Sequence, residues 1–472
     1  MNAFIQAFLD LGTAVALPVI MIILGLVIGM KPGKAIGAGL LLGVAFTGMG
    51  VLFGFAFPAL GGAGGAMVSR FPGLTFKSYD LGWTVASVIS WAWPYAFFMF
   101  PLQIAINIVM LALGWTKCLN VDMWNVWHKA TLGAFTTALL SGSFLGPNGA
   151  LAVGFLIAAI WVVLELISAD LTREQVYNLT RIPGIAVSHN MLLDAFWMAP
   201  LLDLLEKIPG INNIHTSPAD LRKKLGLFGE NYILGAILGL LFGLLAGYDY
   251  KGVANLVIAG ATIITVFPMM AGLFARALAP VAEGAQEFMQ KRFPGRSFYV
   301  GLDWPVLGGI DALWVTGILV APMLLFWAFI LPSSWNDTLP FGSIIAVSLI
   351  ATTTVLTQGD IVKSALLSFI AVPVYLKAAT FFAPYLTKLA LDTGSMQLQE
   401  GYQQITWLEM NAAGFRLMVF AVLDMLNGNI VLGAISAVAL VACGFYWVSG
   451  MKRRENAAAA VSGGISGNPK PY

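Results

Sequence analysis

The 472-residue chain is 59% apolar and only 10% charged, with a mean hydropathy of +0.84, which excludes an ordinary soluble domain. Its 51 glycines and 22 prolines are too many for packed soluble helices, whereas membrane helices tolerate both. A net charge of +2 gives no sign of nucleic acid as a partner, and Cys118 and Cys443 lie too far apart to form a metal or redox motif.

The apolar stretches lack the period-two alternation of a membrane barrel, as Tyr232 to Gly247 (YILGAILGLLFGLLAG) illustrates. The fold class expected is therefore an all-α polytopic membrane protein. No basic residue precedes the first apolar run, so a cleavable leader is not expected and the first helix directs insertion. Five membrane elements are predicted in the first half, at 11–30, 34–57, 83–114, 130–168 and 185–205. Five more follow at 230–247, 252–280, 305–331, 341–383 and 405–426, and a last one at 429–450, giving about 11 transmembrane helices. The elements at 130–168 and 341–383 are too long for one crossing. Polar turns interrupt them at Gly146-Pro147-Asn148-Gly149 and Gln358-Gly359-Asp360, a pattern expected of re-entrant hairpins lining a cavity. Pro94 is expected to break the third element.

The second half repeats the first. Arg70-Phe71-Pro72-Gly73 recurs as Arg292-Phe293-Pro294-Gly295, and Trp83, Pro101, Asn190 and Asp203 recur as Trp304, Pro322, Asn411 and Asp424, all about 221 residues later. An odd number of elements per half makes the repeats inverted, the usual plan of a transporter with its site between the halves. The predicted organisation is a first repeat at 1–210, a cytoplasmic connector at 211–229, a second repeat at 230–428, a final helix at 429–450 and a disordered tail at 451–472. With the N-terminus outside and the C-terminus cytoplasmic, the inner side receives Lys129, Arg222, Lys223, Arg292, Lys452, Arg453, Arg454 and several other cations. The outer side receives only Arg70, Lys77, Arg173, Arg181 and Lys251, as the positive-inside rule requires. In the connector, Ser217-Pro218 reads as an N-cap followed by proline at the first helical position.

Polar groups inside the apolar elements mark the candidate site, because each is costly in a bilayer. His189 opens the fifth element, and Asn190 has its counterpart in Asn411, so the two amides are expected to meet near the midplane. His189 or Glu409 is a candidate proton acceptor for a substrate hydroxyl. Asp311 is placed to bind polyol hydroxyls, with the tips at Asn148 and Gln358 nearby. Trp93 and Tyr95, beside Pro94, offer aromatic faces to a sugar, and His128 sits in a polar–aromatic cluster that an interfacial belt also explains. No phosphate loop, zinc motif or nucleophile triad is present, so no cofactor or metal is expected and the chain is not read as an enzyme on its own.

Several strings resemble the galactitol-type membrane permeases of the bacterial phosphotransferase system, the enzyme IIC subunits of the ascorbate–galactitol superfamily. They are Asn120-Val121-Asp122-Met123-Trp124-Asn125-Val126-Trp127-His128, Glu206-Lys207-Ile208-Pro209-Gly210-Ile211-Asn212, Leu227-Phe228-Gly229-Glu230, Ala246-Gly247-Tyr248-Asp249-Tyr250-Lys251-Gly252-Val253, Gly301-Leu302-Asp303 and Leu339-Pro340-Phe341-Gly342. The resemblance implies a homodimer in the bacterial inner membrane. A dimer-forming domain would come from the first two helices of each repeat, beside a mobile core moving like an elevator. It also implies cytoplasmic IIA and IIB partners that phosphorylate the incoming galactitol or related polyol. A proton-coupled polyol transporter on the same architecture is the alternative, and a membrane-embedded enzyme or scaffold a more distant one.

Overall fold

Small residues decide how the first helices of each half pack. A computed structural model describes residues 13–70, 76–292, 295–396, 398 and 402–462. In it α1 (Thr13–Val27) and α2 (Pro32–Arg70) form a bundle with α9 (Asn231–Ala246) and α10 (Tyr250–Arg292). Along α9, Gly235, Gly239 and Gly243 recur every fourth residue and let α10 approach until a Cβ on Gly235 would lie 2.3 Å from the Gly260 carbonyl oxygen. Such spacing packs helices where lipid removes the hydrophobic drive for association.

The rest of the first half runs β1 (Ser78–Asp80), α3 (Gly82–Trp91), α4 (Met99–Leu113), β2 (Cys118–Asn120), α5 (Trp127–Leu140), α6 (Gly146–Thr180), β3 (Ile185–Val187) and α7 (Ala195–Leu205). After a short connector helix α8 (Pro218–Leu225), the second half follows a similar order, with one helix where the first half has α3 and α4. Beyond α9 and α10 come β4 (Tyr299–Leu302), α11 (Asp311–Ile330), β5 (Thr338–Leu339), α12 (Val347–Leu356), α13 (Ile361–Thr393), β6 (Gln404–Thr406) and α14 (Ala413–Asp424). The long α15 (Ile430–Ser462) ends the described chain.

Short strands add detail to the mostly helical fold that was expected. Six short strands form two three-stranded parallel sheets, in the orders β5-β1-β6 and β2-β4-β3. Each sheet thus places the first strand of one half between the second and third strands of the other. The registers are Ser78 opposite Thr338 and Gln404, and Val300 opposite Leu119 and Ile185. The middle strand of the second sheet contains Gly301, where a Cβ would meet Cys118 Sγ at 2.6 Å and Ser188 Oγ at 2.7 Å. Extended segments of two to four residues leave no periodic trace, which is why 185–205 and 405–426 read as unbroken helices.

Seven helical segments are long and apolar enough to cross a membrane among the described residues, fewer than the eleven expected. The shortfall has local causes. Pro94 ends α3 at Trp91, and strands use up the start of 185–205 and 405–426. Both long elements are interrupted: the second at the expected Gln358–Asp360, between α12 ending at Leu356 and α13, and the first slightly earlier than expected, at 141–145, so that Gly146 to Gly149 form the first turn of α6, with Pro147 at its start. Ser217 caps α8, its Oγ accepting the Asp220 N–H at 3.1 Å. The last helix does not stop at 450 but continues through Ser462, held by Arg454, which pairs with Asp203 and with Glu206 at 3.4 Å. Phe71 to Gly73, Phe293 and Pro294 of the repeated motif lie outside the described residues.

Two charge assignments also change. Lys129 is buried rather than at a cytoplasmic surface, ion-paired to Glu165 at 2.5 Å. Arg173 and Arg181 flank Asn178, whose amide donates to the Ala458 carbonyl at 2.9 Å. They therefore lie at the same end of the molecule as Lys452 to Arg454, not the opposite one.

Candidate functional site

The carboxyl ends of the parallel strands point toward one buried centre, the place where open parallel sheets bind ligands. At the end of β2, the Asn107 side chain of α4 brackets the backbone, donating to the Cys118 carbonyl at 2.8 Å and accepting from Asn120 N–H at 3.0 Å. Asn120 Oδ1 accepts from Ser188 Oγ at 2.9 Å, tying β2 to the end of β3. Asp122 then accepts from the Asn125 side chain at 2.7 Å and from its N–H at 3.2 Å, starting the turn that delivers His128 into the first turn of α5.

His189 follows β3 directly. Its Nδ1 accepts the Met191 N–H at 3.2 Å, so the neutral ring carries its proton on Nε2. That Nε2 lies 3.4 Å from His128 Nε2 and 3.8 Å from Asp303 Oδ1, at the end of β4. Asn411 arrives from the loop after β6 and donates from Nδ2 to His128 Nε2 at 2.8 Å, with His189 Nε2 3.3 Å away. His128 Nε2 is then the shared acceptor, which places its proton on Nδ1, a buried atom with no hydrogen-bond partner among the described residues. The indole of Trp407 stacks on His128 at 5.8 Å.

The turn that presents Asn411 is strained. Met410, Asn411 and Ala412 have φ of 41°, 37° and 64°, three successive non-glycine residues in left-handed conformation. Each costs about 1–2 kcal/mol and persists only where the surroundings impose it. Beside the centre, a small pocket opens between the first bundle and the strand ends. Met21, Phe46 and Phe274 line it from α1, α2 and α10, and Asp122, Trp124 and Asp303 from the strand loops. Among the described residues, no group of three or more His, Cys, Asp or Glu is arranged to hold a metal ion.

Of the sequence candidates, His128, His189 and Asn411 come together. Asn190 is buried next to them, but its amide bonds neither Asn411 nor any other described group, so the expected meeting of amides is replaced by a meeting of histidines. Glu409 is buried two residues from Asn411, yet its carboxylate accepts the Ser348 N–H and caps α12. Asp311 opens α11, next to Ala312, which would lie 3.7 Å from a Cβ on Gly359. It thus belongs with the α12–α13 tip. Gln358 in that tip accepts from Asn178 at 3.1 Å, and Asn148 is exposed at the start of α6, so neither tip residue joins the centre.

The two tips abut opposite ends of α15. Asn427, just before that helix, donates to Leu139 at the end of α5, whereas Asn178 links Gln358 to Ala458. At 1.5 Å per residue those ends are about 40 Å apart. Trp93 packs on Gly133 and Phe155, and Tyr95 joins it at 5.3 Å, forming an aromatic cluster on the α5–α6 hairpin. Asp303, Asp122 and Trp407 were not singled out from the sequence. The strings Gly301-Leu302-Asp303 and Asn120 to His128 carried the available signal for the first two.

Long apolar helices around a buried polar centre built by two like-ordered halves define a polytopic membrane permease. A family description, the sugar-specific permease component of the phosphotransferase system (PTS), EIIC-GAT, matches residues 7–401. The chain is 33% identical over 434 residues to a putative permease IIC component of Escherichia coli K12, covering 92% of this chain and 97% of that one. It is 31% identical over 409 residues to the galactitol-specific EIIC component of the PTS from the same strain, covering 85% and 88%. A galactitol-specific EIIC component from Escherichia coli O157:H7 matches to the same extent. The chain belongs to the family of PTS sugar-specific permease components, multi-pass proteins of the inner membrane.

Proposed function

We propose that this permease binds galactitol or a related polyol at the His128–His189–Asn411 centre and presents it inside the cell for phosphorylation by a cytoplasmic IIB subunit, itself charged through IIA. The observation that carries the reading is the convergence of strand ends from both halves on that centre, beside a largely apolar pocket to whose wall Asp122 and Asp303 contribute. Carboxylate oxygens and amide groups suit a ligand that is nothing but neutral hydroxyls, each able to donate and accept. Trp124 and Trp407 add faces for its C–H surface. Galactitol is favoured by two relatives whose names specify it.

In this reading the halves are inverted repeats, and α1, α2, α9 and α10 form the dimer-forming domain. The remainder is the core that carries substrate as an elevator, and the cavity lies at the seam between the two. The N-terminus is outside and the C-terminus cytoplasmic, which brings Arg173, Arg181 and Lys452 to Arg454 to one inner face. The test is uptake of labelled galactitol by cells expressing the chain with its IIA and IIB partners, with the internal product analysed. Phosphorylated polyol that disappears without IIB is expected. Free polyol accumulating regardless of IIB would instead identify a secondary transporter.

A further inference from the structure

Behind the site lies a buried ionic group that the ligand-binding reading does not use. Arg416, in the first turn of α14, is fully buried, and its Nη2 donates to the Asn411 carbonyl at 3.5 Å. Its backbone N–H donates to the Ala412 carbonyl at 2.8 Å, so the left-handed turn runs directly into the first turn of α14. The guanidinium sits 5.7 Å over the Trp161 ring of α6, and Nε and Nη1 have no hydrogen-bond partner among the described residues. One helical turn beyond Trp161, Glu165 is ion-paired to Lys129, the residue after His128. Glu165 and Trp161 on one face of α6 therefore anchor cations adjoining two site residues from different halves, Lys129 beside His128 and Arg416 behind Asn411.

We infer that Arg416 is a positioning residue: its guanidinium, braced by Trp161, imposes the left-handed Met410–Ala412 turn that aims the Asn411 amide at the two histidines. Two consequences separate this role from general packing. Removing the guanidinium frees the turn to relax, so Asn411 leaves the histidines and polyol affinity falls. Replacing Ala412 with glycine, for which a φ of 64° is unstrained, lowers the force needed to hold the turn and restores part of that affinity.

The inference rests on the substrate reading above only for its transport arm. Arg416→Met and Arg416→Lys are made with and without Ala412→Gly, alongside Ala412→Gly alone, and each is checked for folded yield in detergent. Expected for Arg416→Met is an apparent KM for galactitol about tenfold higher, with a smaller change in maximal rate and clear recovery in the Ala412→Gly background. Arg416→Lys, which keeps the charge but loses the planar fork, is expected to fall between, and substitutes for the methionine variant if that one does not fold. An unchanged KM, or a raised KM that glycine does not lower, overturns the positioning role. Amide hydrogen exchange over residues 407–416, expected to be faster in both arginine variants, is read without any substrate. If even the unmodified protein takes up no galactitol, the substrate reading fails, while unaltered exchange in this segment separately overturns the inference about Arg416.

Discussion

His128 and His189 face each other Nε2 to Nε2 across 3.4 Å, although one lies in the first turn of a helix of the α5–α6 hairpin and the other just beyond a strand of the second sheet. Asn411, from the other half of the chain, closes the triangle at 2.8 and 3.3 Å. His189→Ala is therefore expected to abolish polyol uptake while folded, membrane-inserted protein is recovered at the usual yield. Glu409→Gln keeps the carbonyl oxygen that accepts the Ser348 N–H, so uptake is expected to survive it. Uptake assays on both variants check the assignment; transport by the His189 variant, or its loss in the Glu409 variant, reverses the roles given to these residues.

Asp194 joins α7, α13 and α14. It accepts from Trp197 Nε1 at 2.7 Å, Tyr375 OH at 2.6 Å and Phe415 N–H at 2.8 Å, all inside the protein. Asp194→Ala leaves three buried donors without an acceptor and is expected to destabilise the fold by about 3 kcal/mol. A thermal-shift measurement in detergent reads this as a markedly lower unfolding temperature, with Asp194→Asn losing less because one oxygen remains.

The α9–α10 contact is backbone against backbone. Gly235→Ala would place a Cβ 2.3 Å from the Gly260 carbonyl oxygen, which no rotamer relieves, and about 2 kcal/mol of destabilisation is expected. Gly37→Ala in α2 is the matched control: nothing lies within 4 Å of its Cβ position, and alanine favours the helix. Equal unfolding temperatures for the two variants would remove this contact from the account of the bundle.

The Lys129–Glu165 pair is buried on both sides. Lys129→Met strands a carboxylate inside the protein and is expected to cost about 3–5 kcal/mol, whereas Lys129→Met with Glu165→Met removes the charge altogether and costs less. Folded yield and unfolding temperature of the single and double variants decide the matter. A double variant no better than the single would show that the pair is not coupled.

The membrane character and the doubled order were legible because both are written in local composition and in spacing along the chain. The breaks at Pro94 and at Gln358 to Asp360 were legible for the same reason, since proline, glycine and polar residues interrupt apolar helices; the first long element breaks at 141–145, just before the Gly146 to Gly149 motif, which opens α6. The Ser217 cap was legible too. His189 and Asn411 were readable as costly polar residues in apolar runs. His128 was harder, because its neighbours Trp124 and Trp127 are also what a membrane–water interface would carry. Asp303 escaped because it follows β4, a strand of four residues whose partners lie more than a hundred residues away in the chain.

By itself, the sequence determined that the chain lives in a membrane, that its two halves share a plan, where its helices break and which polar residues need an explanation. Only the tertiary structure decided that each half lends its first strand to the other's sheet. It also decided that Asn190 bonds no described group while Asn411 meets two histidines, and that Glu409 serves a helix terminus rather than the centre. The physical reason is range. Hydropathy and turn chemistry act over a few neighbouring residues. Parallel pairing of three-residue strands and the burial of single polar groups are set by partners that only the packed halves bring within hydrogen-bond distance.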